Sequence, residues 1–144
     1  MGFTVTAVDV DVSRLTSLAG PHCQVSPIDL EDGGPWRLGG GWSGIVVTNY
    51  LYRALFADLA QGLAPGGVLI YETFMLGNER FGRPSNPEFL LKPGELVTAF
   101  AALSVVAFEQ GEVTDPRAAV VQRIAAINGP VGRLPALDND PLSS

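Results

Sequence analysis

Cysteine, histidine and lysine each occur once, as Cys23, His22 and Lys92. A lone cysteine excludes an internal disulfide framework and suits a reducing compartment. One histidine and one cysteine are too few ligands for a structural zinc site within one chain. Charge is also scarce. Charged residues make up 17% of the 144 positions against 47% apolar, a balance that excludes wholesale disorder. The net charge of −6 argues against a nucleic-acid surface, which needs clustered Lys and Arg. No run approaches the roughly 20 apolar residues of a membrane span. Met1-Gly2-Phe3-Thr4 puts no basic stretch ahead of an apolar one, so no signal peptide is visible and a cytoplasmic protein is expected.

What is present reads as alternating strands and helices. Phe3 to Val8 is a buried strand ending at Asp9, with Asp11 or Ser13 placed to cap a short helix carrying Leu15 and Leu18. Gly20-Pro21 stops that helix, and Cys23 to Ser26, beside Pro27, is a weaker strand at a sheet edge. A Gly/Pro-rich loop follows over 32–41. Ile45-Val46-Val47-Thr48 is a continuous apolar strand of the kind buried on both faces. Leu51, Leu55, Leu59 and Leu63, spaced by four, predict a helix with one leucine stripe. Pro65-Gly66-Gly67 reads as a turn into the strand Val68-Leu69-Ile70-Tyr71, which completes a right-handed βαβ crossover. Phe74 to Leu91 is a long turn-rich loop. Pro93 opens a predicted helix to Phe100, with Leu96, Val97 and Phe100 as its apolar side. Val105–Phe108 and Ala119–Ile127 predict an antiparallel hairpin. Residues 128–144, with three prolines among them, are expected to form a flexible tail after a single domain over 1–127.

That order resembles class I methyltransferases dependent on S-adenosylmethionine (SAM), from their second strand onward. Val5-Thr6-Ala7-Val8-Asp9 resembles the second strand and its terminal acid, and Ile28-Asp29-Leu30-Glu31 the segment after the third. Ile45 through Tyr50 resembles the fourth strand and the segment after it, and Leu63 through Ile70 the turn into the fifth. Glu72-Thr73-Phe74, Gly77-Asn78, Gly82-Arg83-Pro84 and Leu90-Leu91 before Pro93-Gly94-Glu95-Leu96 are similar to bacterial members near the tellurite-resistance methyltransferases. The resemblance implies a three-layer Rossmann-like α/β fold, mostly parallel, with SAM as cofactor and a small-molecule methyl acceptor. It implies that Asp9 holds the ribose hydroxyls, that Asp29 and Leu30 contact adenine, and that Asn49 and Tyr50 lie beside the transferred methyl. The sequence departs from the pattern in one respect. The family's first strand and glycine-rich turn have no counterpart before Phe3, and Gly39-Gly40-Gly41 precedes a strand where the family's turn follows one. Weakened cofactor binding is therefore expected. So is a gap in the sheet, closed either by pairing Val5–Val8 with Ile45–Thr48 or by a second copy of the chain in a homodimer.

Each candidate has a plainer reading beside it. Asp9 also fits a turn or cap, and Asp29 an ordinary loop acid. Asn49 and Tyr50 fit a helix start with a buried aromatic. Glu72, at a strand end, can serve as a base or substrate partner, or pair with Arg80 or Arg83. Arg53 reads as a surface or salt-bridge residue. His22 with Ser43 or Ser26 keeps an esterase-like hydrolase in view, Gly41-Trp42-Ser43-Gly44 being a loose likeness of a nucleophile elbow. A dimerising remnant that keeps the fold without catalysis is the third reading.

Overall fold

A computed structural model describes residues 2–132. The chain divides into two compact units, one up to Arg37 and the other from Leu38 onward. The first holds two parallel strands, β1 (Val5–Asp9) and β2 (Cys23–Pro27), in register from Val5 opposite Cys23 to Asp9 opposite Pro27. The expected helix between them is only a 3₁₀ turn over Thr16–Leu18, and Leu18 stays exposed. Asp11 Oδ1 accepts from the Ser13 N–H at 3.0 Å, an Asx turn that offers the backbone an alternative to helical bonding. The same bond, seconded by the Ser13 hydroxyl, holds the Asp11 carboxyl below its ordinary range.

The second unit is built on four strands in the order β3-β4-β6-β5: β3 (Trp42–Thr48), β4 (Leu63–Phe74), β5 (Ser104–Val113) and β6 (Ala119–Ile127). β3 and β4 are parallel; β6 runs antiparallel to both β4 and β5. The predicted crossover is present, with a shorter helix than the leucine spacing implies. A 3₁₀ turn over Arg53–Leu55 leads into α1 (Phe56–Gln61). All four leucines of the stripe are nevertheless buried. Pro65-Gly66-Gly67 does not precede β4 but lies within it as a bulge, since Trp42 faces Leu63 while Gly44 faces Val68. The bulge is tied down by the Gly66 N–H, which donates to the Asn128 carbonyl at 2.7 Å.

One face of the sheet forms the core. Leu69, Tyr71, Ile124 and Ala126 lie on it, and Leu90, Leu91, Leu96 and Phe100 are equally buried. The second predicted helix is the five-residue α2 (Glu95–Ala99). It starts after Gly94 at φ 71°, not at Pro93, and turns Leu96 and Phe100 inward while Val97 stays exposed. The hairpin is longer than its apolar residues indicate, because the polar stretch Glu109–Glu112 continues β5 along the outer edge.

β1 and β2 form one ladder and β3 to β6 another. Residues 133–144, most of the expected tail, lie outside the described residues. Asn128 is fixed: its N–H donates to Gly67 and its Nδ2 to the Leu63 and Ala64 carbonyls. Among the described residues no helix is long and apolar enough to cross a membrane.

Candidate functional site

In the first unit the two acids lie at neighbouring C-terminal strand ends. Asp9 closes β1, and its carbonyl accepts from the Ile28 N–H at 3.0 Å, which carries Asp29 out just past the end of β2. Both carboxylates are exposed, and each folds its own loop. Asp9 Oδ1 accepts from the Asp11 N–H at 3.2 Å and Asp29 Oδ1 from the Glu31 N–H at 2.9 Å. The Asp29 carbonyl is gripped by Arg37 at 2.6 Å, and Arg37 also pairs with Asp32 at 2.8 Å. Leu30 is half-buried. Hydrogen-bonded loops that display carboxylates at the ends of parallel strands suit a ligand rich in hydroxyl or amino donors.

In the second unit the strand-end turn after β3 is held at several points. The Asn49 N–H donates to the Glu72 carbonyl at 2.9 Å, and the Tyr50 carbonyl accepts from the Tyr71 hydroxyl at 2.7 Å. Asn49 itself is exposed and adopts φ 52°. Arg53 is anchored by four hydrogen bonds: two to the Glu95 carboxylate at 2.6 and 3.0 Å, and one each to the Glu88 and Leu90 carbonyls at 2.9 Å. Burial works against the Glu95 charge, but the Arg53 guanidinium and the Lys92 N–H outweigh it and hold that carboxyl below its ordinary range.

Glu72 is placed differently from the expectation that it ends its strand. β4 runs on to Phe74, and Glu72 sits opposite Arg123 of β6 rather than beside Arg80 or Arg83. Arg123 Nε approaches Glu72 Oε2 to 3.0 Å, and Arg123 Nη1 lies 3.5 Å from Glu109. The first of these is an ion pair without an aligned hydrogen bond, because the oxygen lies off the N–H axis. Ser43 lies inside β3, not at a strand-to-helix turn, and His22 is exposed with its carbonyl bonded to the Val5 N–H. Neither arrangement activates a hydroxyl.

Two buried amides brace the long loop. Gln122 is fully enclosed; its Oε1 accepts from the Leu96 N–H at 2.7 Å, and its Nε2 donates to the Lys92 carbonyl at 2.9 Å. Asn78 joins the Val120 N–H to the Pro84 carbonyl. Neither role, nor that of Tyr71, follows from apolar periodicity, which shows each only as one more residue of a strand or loop. The available signal was a polar atom in an apolar strand, which must find a partner when buried.

Parallel strand pairs with displayed ends, a βαβ crossover and a terminal antiparallel hairpin together define a Rossmann-like α/β fold, that of SAM-dependent methyltransferases. No family model matches the sequence, and no curated protein matches it. Solved structures do. The N-methyltransferase NodS of Bradyrhizobium japonicum WM9 superposes at TM-score 0.62 and 18% identity, over 87% of this chain and 73% of its own, and it has also been solved with S-adenosyl-L-homocysteine (SAH). TehB of Haemophilus influenzae gives 0.65 at 13% identity over 88% of this chain, which spans only 50% of TehB. The geranyl diphosphate C-methyltransferase of Streptomyces coelicolor A3(2) gives 0.59 at 18% identity, over 87% of this chain and 65% of its own. At these identities the likeness is one of fold.

Proposed function

We propose that the chain is a SAM-dependent methyltransferase-type protein that holds the adenosyl part of SAM weakly and serves a small-molecule acceptor. The observation that carries this reading is the pair of exposed carboxylates at adjacent parallel strand ends, Asp9 and Asp29, in a fold shared with SAM-dependent methyltransferases. In this reading Asp9 accepts from the ribose hydroxyls, Asp29 from the adenine amino group, and Leu30 covers the ring. Asn49 and Tyr50 are assigned to the methyl acceptor. SAM, when bound, would supply the electrophilic methyl group for that acceptor. The residues contribute chiefly proximity and orientation.

Weak binding follows from the exposure of the acids. A hydrogen bond competing with water contributes only about 0.5–1.5 kcal/mol net. Two or three such bonds with partial cover of one ring support a Kd of about 0.1–1 mM. Calorimetry with SAM and SAH tests this. Asp9→Asn and Asp29→Asn are each expected to weaken SAH binding by about 3–10-fold. Submicromolar binding, or binding indifferent to both substitutions, refutes the assignment.

A further inference from the structure

Asn49 is the one non-glycine residue with positive φ, at 52°, among the described residues. That region places Cβ against the carbonyl oxygen and costs roughly 1 kcal/mol or more for an ordinary side chain, though Asn tolerates it better than most. A turn needing only the backbone shape is served without that cost by glycine, which this chain uses at its other positive-φ positions. Strain kept at an exposed polar side chain points to use of that side chain. The strain also needs something to hold it.

The holding groups lie directly behind the turn. The Asn49 N–H is bonded to the Glu72 carbonyl, and the next carbonyl, that of Tyr50, takes the Tyr71 hydroxyl at 2.7 Å. Tyr71 is 1% exposed, its ring 6.0 Å from that of Phe56 and 6.0 Å from that of Phe100. Enclosed in this way the ring cannot turn away from its acceptor. Burial also pushes the phenol's pKa up, so it stays a donor at every ordinary pH. Leu51 is buried, and Arg53 is clamped to Glu95, Glu88 and Leu90. The segment from Asn49 to Arg53 is therefore pinned on both sides of the strained residue.

We infer that Tyr71 is a positioning residue: its hydroxyl fixes the Tyr50 carbonyl and so presents the Asn49 carboxamide in one orientation to the ligand of the site. The ligand's identity rests on the SAM reading above; the mechanical role of Tyr71 does not. Asn49 offers a planar donor and acceptor side by side, suited to an acceptor or cofactor group carrying an N–H or O–H next to a lone pair.

Tyr71→Phe removes the hydroxyl and keeps the ring between Phe56 and Phe100, so it separates positioning from packing. Amide hydrogen exchange at Asn49 is expected to rise at least tenfold in this variant, while amides of β6 such as Ile124 and Ala126 keep their protection. Unchanged exchange at Asn49 overturns the inference, and so does a uniform rise across the sheet. SAH binding supplies the second arm. Tyr71→Phe and Asn49→Ala should each weaken it several-fold, and the double variant should be no weaker than Asn49→Ala alone. Multiplicative losses mean that Tyr71 does not act through Asn49 and overturn the inference. Failure of the wild type to bind SAH refutes the SAM reading, and the exchange result still decides the role of Tyr71.

Discussion

Arg53 shows how much of this molecule depends on single side chains joining distant stretches of sequence. It meets Glu95 side-on with two hydrogen bonds, and its remaining donors close the carbonyls of Glu88 and Leu90, where the long loop returns toward α2. Its pairing with Glu95 raises its own pKa despite partial burial, and the same contact keeps the carboxyl below its ordinary value. The sign of the pH effect follows. A carboxyl with a depressed folded pKa contributes stability that is fully present above its unfolded value of about 4.3 and is lost as pH falls through the folded value. Arg53→Met is expected to cost about 1–2 kcal/mol at pH 7, toward the lower end for a charged hydrogen-bonded group because the guanidinium is partly open to solvent. Urea titrations at pH 7 and pH 3.5 check this, since the variant should lose less stability than the wild type on acidification. A variant as stable as the wild type at pH 7 would show the clamp to be energetically idle.

At the level of elements, the crossover between β3 and β4 depends on a bulge that only glycine permits. A Cβ on Gly67 would lie 2.7 Å from the Trp42 carbonyl and 2.9 Å from that of Ala64, both backbone atoms that cannot move independently of the sheet. Gly67→Ala should therefore destabilise by about 2–4 kcal/mol, the range of overpacking and strained backbone. Thermal unfolding would reveal it, and a loss below 0.5 kcal/mol (about the scale of a surface substitution) would mean that the bulge relaxes freely. The same crossover marks what sequence discloses. Ile45–Thr48 and the four leucines announced strand, helix and strand because apolar periodicity is a local signal. The bounds of β6 coincide with its apolar run for the same reason. Helix length was not legible: leucines at four-residue spacing lie here in an irregular segment at Leu51, a 3₁₀ turn, a short α1 and the start of β4. The ion pair of Glu72 with Arg123 was hidden as well, since it exists only through the β4–β6 register. For the site, the strand-end positions of Asp9, Asp29 and Asn49 were readable. The Asx turns of Asp9 and Asp29, and the Tyr71 bond behind Tyr50, belong to the folded structure.

At the scale of the whole molecule, the sheet of the second unit is finished on one face and bare on the other. Register places Val46, Ile70, Ala125 and Ala107 in one row across its four strands, and Val46 and Ile70 are 67% and 47% exposed. The neighbouring row, Thr48, Glu72, Arg123 and Glu109, carries the charges and borders the apolar one. The leucine stripe is buried within its own unit and is unavailable for a dimer contact. We propose that the chain forms a homodimer through the Val46–Ile70 row. A two-fold contact requires only that a patch be compatible with itself, and an uncharged row of β-branched and small residues meets that condition. The strand that carries Val46 has neither charge nor proline along Trp42–Thr48, the usual protections of a strand at the rim of a sheet. The net charge of −6 opposes the association, so it should strengthen as salt screens the repulsion over a Debye length of about 10 Å at 0.1 M. Light scattering across a dilution series, at low and at moderate salt, tests the idea, with Val46→Lys as the disrupting variant. A dimer that persists in Val46→Lys would move the contact elsewhere. A well-folded monomer at every concentration and both ionic strengths would show that water tolerates this face uncovered.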